Sequence, residues 1–256
     1  MLRDLYFIGV GEACDPLCPN TSLLLRTEDG RGPALLDCGF TTPHLYFRTC
    51  TDSEELRALW ISHFHGDHFF GVPLLLLRFW EMGRKDPLII LGPCGVQGKI
   101  EQAMDLAYPN FRPSLNYGLD FQEMESGCPT VEAGGLAWTA ASSRHAAGAL
   151  AIRVTDQRKS LFYSGDGRPT DETRILAAGC DVIVHEAFGL NKEAPDHGSI
   201  VDCLDFARQA GVKNLALLHI NRHVRHNRRT EISKILDEAV DLNVFLPETG
   251  SSFVLG

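Results

Sequence analysis

The sequence predicts an α/β fold in which two β-sheets pack face to face with helices on the outside. Apolar strand-like runs come in two batches with helices interspersed, which is the pattern of two covered sheets. Several of these runs end abruptly on His or Asp, and α/β sheets collect their functional groups at the carboxyl ends of strands. The chain has 256 residues, 44% of them hydrophobic, enough to fill the core of one large domain or two small ones.

The elements follow in order. LYFIGVG (5–11), TSLLLR (21–26) and ALLDC (34–38) read as strands separated by turn-rich loops, and LRALWIS (56–62) as a fourth. A helix is expected over 72–82, a strand over 88–91 and a helix over 96–107, with 108–119 irregular. Short strands then run through 120–165, among them 136–141, 149–155 and 160–166, with a turn at 156–159. Strands at 181–186, 214–220 and 243–246 alternate with helices at 198–210 and 230–241. No repeat or low-complexity linker interrupts this order.

The densest chemistry is HFHGDH (63–68), which places His63, His65, Asp67 and His68 directly after a buried-looking strand. Neutral imidazole nitrogen and carboxylate oxygen suit a divalent ion such as Zn²⁺. In an extended segment His63 and His65 point the same way and can share one ion. Gly66 lets the chain turn, so Asp67 and His68 can reach a second ion beside it. Later runs end the same way: His145 follows 136–141, Asp166 ends 160–166 and His219 closes NLALLHI (214–220). Any one of these alone reads as a hydrogen-bonded structural residue; together with HFHGDH they read as a metal site.

Composition excludes several classes. The formal net charge is −9, against the basic field of a general polyanion binder. The apolar run at the start is too short for a signal peptide, and 72–77 is too short to span a bilayer. A cytoplasmic protein with no membrane partner is therefore expected. The eight cysteines include no CxxC pair and read as reduced, small apolar residues; Cys14 and Cys18 read as part of a loop.

HFHGDH with His145, the Asp166 of SGDG and His219 resembles the ordered ligand set of the metallo-β-lactamase superfamily. NTSLLL (20–25), LLDCG (35–39), ISHFHGDHFFGVPLLL (61–76), YSGDGRP (163–169), VHEAFG (184–189), HGS (197–199) and GVKNLALLHI (211–220) are similar to words of its ribonuclease Z branch. The resemblance implies an α/β fold, a four-layer αβ/βα sandwich forming a single domain over 1–256. It implies two divalent metal ions, Zn²⁺ with Mn²⁺ or Fe²⁺ as alternatives. His63, His65 and His145 would hold the first, Asp67, His68 and His219 the second, and Asp166 would bridge. A hydroxide held between the ions would be the nucleophile, with Asp67 orienting it or accepting its proton. The family often forms homodimers.

The resemblance also makes His197 a proton donor to the leaving group or a contact to the scissile phosphate. The branch usually has His-Ser-Thr where this chain has His-Gly-Ser, which passes the helix-capping role to Ser199. His185 and Glu186, ending another strand, are expected to support a ligand from behind by fixing its tautomer. Ribonuclease Z carries a long tRNA-gripping arm between the positions of His145 and Asp166, but here Asp166 follows His145 by only 166 − 145 = 21 positions. The arm has no room there. Arg222 and Arg225, in NRHVRHNRR (221–229), are candidates to grip a substrate phosphate, and the bland reading of that segment is a loop with Thr230 capping the next helix. The expected function is a metal-dependent phosphodiesterase for a small anionic, nucleotide-like or cyclic substrate. Kept beside it are an RNA 3′-processing endonuclease, a lactone or thioester hydrolase, and a redox or non-catalytic metal protein.

Overall fold

A computed structural model describes residues 1–145, 148–191 and 194–256. The first half of the chain forms β1 (Leu2–Gly9), β2 (Ser22–Thr27), β3 (Ala34–Leu36), α1 (Thr42–Thr49), β4 (Ala58–Trp60), α2 (Gly66–Phe69), α3 (Val72–Glu81), β5 (Leu88–Pro93), α4 (Val96–Ala107) and β6 (Leu119–Met124). The second forms β7 (Val131–Ala133), β8 (Leu136–Ser142), β9 (Leu150–Thr155), β10 (Ser160–Tyr163), α5 (Asp171–Ala177), β11 (Val182–Glu186), α6 (Ile200–Ala210), β12 (Asn214–Leu218), α7 (Arg222–Asn227), α8 (Arg229–Glu238), β13 (Asn243–Phe245) and β14 (Ser252–Val254).

These strands make two seven-stranded sheets, ordered β14-β1-β2-β3-β4-β5-β6 and β13-β12-β11-β10-β9-β8-β7. Both sheets are mixed: β14 to β3 and β7 to β10 run antiparallel, β3 to β6 and β10 to β13 parallel. Strand alternation sorts the apolar side chains into layers. Leu23, Leu25, Leu36 and Trp60 face Trp138, Ile152, Tyr163, Val184 and Leu218 across the space between the sheets. Leu24, Leu35 and Leu59 turn outward onto Tyr46 of α1, Leu75 and Phe79 of α3 and Ile100 of α4. Phe162, Ile183 and Leu217 turn the other way onto Ala177 of α5, Leu204 and Phe206 of α6 and Ile232 of α8. The result is helix, sheet, sheet, helix, as the sequence predicts.

The differences from expectation are local. α1, α2, α5, α7 and the closing strand β14 carry no clear sequence signal. α1 is eight residues with two threonines and two aromatics, poor helix formers; Pro43 starts it, and Tyr46 packed edge-on to Phe79 holds it down. The segment expected as a loop at 221–229 is mostly α7, invisible to periodicity because it buries only Val224 and Arg225. α8 starts at Arg229, so Thr230 lies within the helix and does not cap it. Ser199 does cap α6, accepting from Asp202 N at 3.1 Å. Among the described residues no helix is long and apolar enough to cross a membrane.

Candidate metal centre

The carboxyl ends of β3, β4, β10, β11 and β12 open on one edge of the sandwich, and each delivers a polar side chain there. Asp37 follows β3, His63 follows β4 through Ser62, Asp166 follows β10, Glu186 ends β11 and His219 follows β12. His65 precedes α2, which carries Asp67 and His68; His145 lies in the connection between β8 and β9. Asp37 and His219 both sit at positive φ, 58° and 54°, a backbone state tolerated where the surroundings fix it and concentrated at functional sites. Gly39 explains how the metal-loop side closes up: a Cβ there would lie 1.9 Å from the Asp67 carbonyl oxygen.

Donor atoms of His63, His65, His145 and Asp166 all lie within 4.8 Å of one another, and those of Asp67, His68 and His219 form an adjoining group by the same measure. Asp166 stands between the two. Its Oδ2 is 3.8 Å from His63 Nε2 and 3.3 Å from His219 Nε2, and its Oδ1 is 3.3 Å from His68 Nε2. Asp67 Oδ2 lies 3.3 Å from His68 Nε2, and His145 Nε2 is 3.2 Å from His65 Nδ1. Donors placed tetrahedrally at 2.0–2.1 Å from an ion are about 3.3 Å apart, so this spacing suits ions held between the groups.

The hydrogen bonds behind the imidazoles settle which nitrogen faces the centre. Asp37 Oδ2 accepts from His68 Nδ1 at 2.8 Å. Ser62 Oγ donates to Asp37 Oδ2 at 2.8 Å, so at 3.0 Å from His63 Nδ1 it accepts that ring's proton. Thr21 Oγ1 donates to the Gly11 carbonyl and therefore accepts from His219 Nδ1 at 3.2 Å. The Asp196 carbonyl accepts from His145 Nδ1 at 3.1 Å. In all four rings Nδ1 is engaged behind, so Nε2 is the nitrogen that faces the centre. His63 Nε2, His68 Nε2 and Asp166 Oδ1 are buried without a hydrogen-bond partner, an arrangement that divalent cations would satisfy. The residues fit a pair of such ions.

The carboxylates are held ionised. Burial works against the Asp67 anion, but His68 and His219 pull its pKa down to about 2. Burial likewise opposes the Asp166 charge, and His219, His68 and His63 reverse it, holding this carboxyl well below its ordinary range.

The remaining sequence candidates separate. His197 lies beside the centre, its ring 5.0 Å from that of His145 and stacked on Phe188 at 4.6 Å. Its Nδ1 is 3.1 Å from Glu186 Oε1. Burial disfavours the His197 imidazolium, yet the hydrogen bond and charge of Glu186 outweigh this and raise its pKa. Glu186 also accepts from Gly167 N, Gly198 N and Phe188 N, so it ties the Asp166 turn to the His197 turn. His185 corrects the expectation. Strand alternation sends it to the opposite face, where it packs against Phe162 and Phe206 and bonds the Glu186 carbonyl, away from the ligands. Arg222 and Arg225 also differ from two open phosphate forks. Arg222 Nη1 donates to Glu12 Oε1 at 2.6 Å, and the buried Arg225 donates from Nη2 to the Pro247 carbonyl.

Sequence reasoning missed Asp37. Fully buried, it accepts from Ser62 N, Ser62 Oγ, His68 Nδ1 and the Tyr163 hydroxyl, at 2.6–2.8 Å. The signal was present: LLDCG ends an apolar strand on Asp, as SLFYSGD does at Asp166.

Comparison with known proteins agrees with this arrangement. Residues 34–220 match the family described as "Beta-lactamase superfamily domain". The chain is 27% identical to ribonuclease Z of Bacillus subtilis, covering 93% of this chain and 94% of that one, and 28% identical to ribonuclease BN of Escherichia coli K12, covering 85% and 89%. Its fold is similar to the short form of human tRNase Z, with a TM-score of 0.78 at 22% identity and 99% of both chains covered. It is also similar to a diphosphatase from the PhnP family, with a TM-score of 0.73 at 15% identity, covering 98% of this chain and 97% of that one. The chain belongs to the metallo-β-lactamase superfamily, on its ribonuclease Z-like side, and is a metal-dependent hydrolase.

Proposed function

We propose that the chain is a phosphodiesterase that uses two divalent ions, zinc first among them, and takes a small anionic, nucleotide-like substrate. The observation that carries this reading is the Glu186–His197 pair beside the two donor groups. His63, His65 and His145 would hold one ion, Asp67, His68 and His219 the other, with Asp166 shared. When bound, such ions would lower the pKa of a water and neutralise charge on a phosphoryl oxygen.

The chain's own residues supply the rest. Asp67, buried and held ionised beside His68 and His219, would orient the attacking water. His197, its imidazolium favoured by Glu186, would donate a proton to the departing alkoxide oxygen. Phe188 stacks against the His197 ring and limits its rotation. Exposed Phe40 and Phe70, in edge contact next to Gly66, offer an apolar face beside the metal loop for the organic part of the substrate.

A small substrate is favoured because the interval from His145 to Asp166 holds little more than β9, β10 and the tight turn between them. The alignment with the B. subtilis enzyme runs over 296 positions against 256 residues here, so that relative carries segments this chain lacks. The curated relatives' ribonuclease names support a second reading, RNA 3′-end processing without the arm.

Metal-reconstituted protein should be assayed side by side on bis(p-nitrophenyl) phosphate, a lactone and a precursor tRNA. Phosphodiester turnover well above that of the lactone, with little or no tRNA cleavage, is expected. Efficient tRNA cleavage would replace the reading with the second one, and lactone turnover alone would overturn both.

A further inference from the structure

A second cluster of metal-binding side chains lies outside the centre described above. The connection from β1 to β2 carries Asp15 and Cys18, and α7 brings His226 against them. One carboxylate oxygen, the Cys18 sulfur and one His226 ring nitrogen lie within 4.8 Å of one another. His226 Nε2 is 2.9 Å from Asp15 Oδ2 and 3.1 Å from Oδ1. The Asp15 side chain has no exposed surface and that of His226 only 19%, so this is not a solvated surface pair.

The backbone holds the three groups in place. Asp15 Oδ1 accepts from Leu17 N at 2.8 Å and Cys18 N at 3.1 Å, which fixes the carboxylate at the head of its own turn. Gly11 N donates to the Pro19 carbonyl, and a Cβ on Gly11 would lie 2.8 Å from the Cys18 Cβ, so the cysteine is pressed onto the end of β1. The site lies two short steps from His219: Gly11 bridges to Ile220, and α7 begins at Arg222.

We propose that Asp15, Cys18 and His226 bind a third divalent ion of the zinc type, structural in role, clamping the β1–β2 connection onto α7. Thiolate, imidazole and carboxylate together form a donor set that selects such an ion over magnesium or calcium. Its two anionic donors would offset the ion's charge. Burial pushes the Cys18 thiol up, and Arg225 opposes this; metal binding would displace the thiol proton to solvent. Solvent would complete the four-coordinate shell. A structural ion here would tie α7, which follows His219, to the β1–β2 connection, whose Thr21 lies behind the His219 ring. This inference is independent of the substrate assigned to the dinuclear centre.

Cobalt(II) tests it, because the dinuclear donor groups contain only His and Asp and give no thiolate band. The protein loaded with Co²⁺ should show a thiolate-to-cobalt charge-transfer absorption in the near ultraviolet. Cys18→Ser should abolish that band, keep the visible bands of the His/Asp centre and lower metal content by about one ion per chain. His226→Ala should do the same if Cys18→Ser folds poorly. A fully loaded wild type without the charge-transfer band, or a band that survives both substitutions, overturns the proposal.

Discussion

The two sheets contribute to the centre in different ways. The first sheet supplies four donors from one six-residue word, HFHGDH, and backs them with a single buried carboxylate, Asp37, that reaches His68 directly and His63 through Ser62. The second sheet supplies His145, Asp166 and His219 from separate strand ends, each held by a different local contact: the Asp196 carbonyl behind His145, the Thr21 hydroxyl behind His219, and Asp166 between both ion positions. One half concentrates its support and the other disperses it. Damage should therefore spread on the first side and stay local on the second, except at the shared carboxylate.

Asp166 is that exception and should give the largest effect. Asp166→Ala should lose one or both ions and reduce phosphodiester turnover to near background, because it is the residue both donor groups share. Elemental analysis reads this directly; full occupancy of two ions in the variant would remove Asp166 from the centre. His197→Ala is next. It should keep both ions while lowering kcat about 10²–10⁴-fold for an alkoxide leaving group, and much less for p-nitrophenolate, which departs without a proton. Equal losses on both would reject proton donation and leave phosphate positioning.

The same contrast explains what the sequence showed. Donors packed into one word are legible because six consecutive residues declare their chemistry at once. Those on the second sheet were legible only as ends of apolar runs, and gained meaning together. Asp37 obeys that rule as well as Asp166 does, yet no cluster in the sequence pointed to it; its role depends on β3 lying beside β4, a tertiary fact. His185 failed for a related reason. Proximity to Glu186 in sequence puts it on the opposite face of a strand. Two of the missed helices, α1 and α7, are held by packing rather than by propensity.

Asp37 and Thr21 sharpen the comparison at intermediate scale. Asp37→Ala would leave the buried Tyr163 hydroxyl and the Ser62 and His68 donors without their acceptor, costing at least about 2 kcal/mol of stability. Metal affinity should fall about 10–100-fold, with both ion positions weakened because His63 and His68 belong to different groups. Thr21→Ala removes one neutral hydrogen bond behind His219 and should cost about tenfold or less, at the second ion only. Stepwise metal titration with competing chelators separates the two positions. Equal losses from Thr21→Ala at both ions would mean the second sheet is as coupled as the first.

The smallest effect is expected at Arg222. Its place just past His219 in the sequence makes it a candidate to grip a substrate phosphate, for which loss of a charge-assisted contact would raise KM about tenfold or more. The guanidinium instead donates to Glu12, a buried carboxylate at the head of the β1–β2 connection, and that contact raises its pKa further. To grip a phosphate it would have to abandon Glu12. Arg222→Ala should therefore change KM for a phosphodiester by less than about threefold, and lactone turnover as little. Arg225→Ala is a poorer probe, since its buried bond to the Pro247 carbonyl makes any loss ambiguous between folding and binding. A tenfold rise in KM for the phosphodiester with Arg222→Ala, absent for the lactone, would restore the phosphate grip. It would also mean that α7 turns toward the substrate when one is bound.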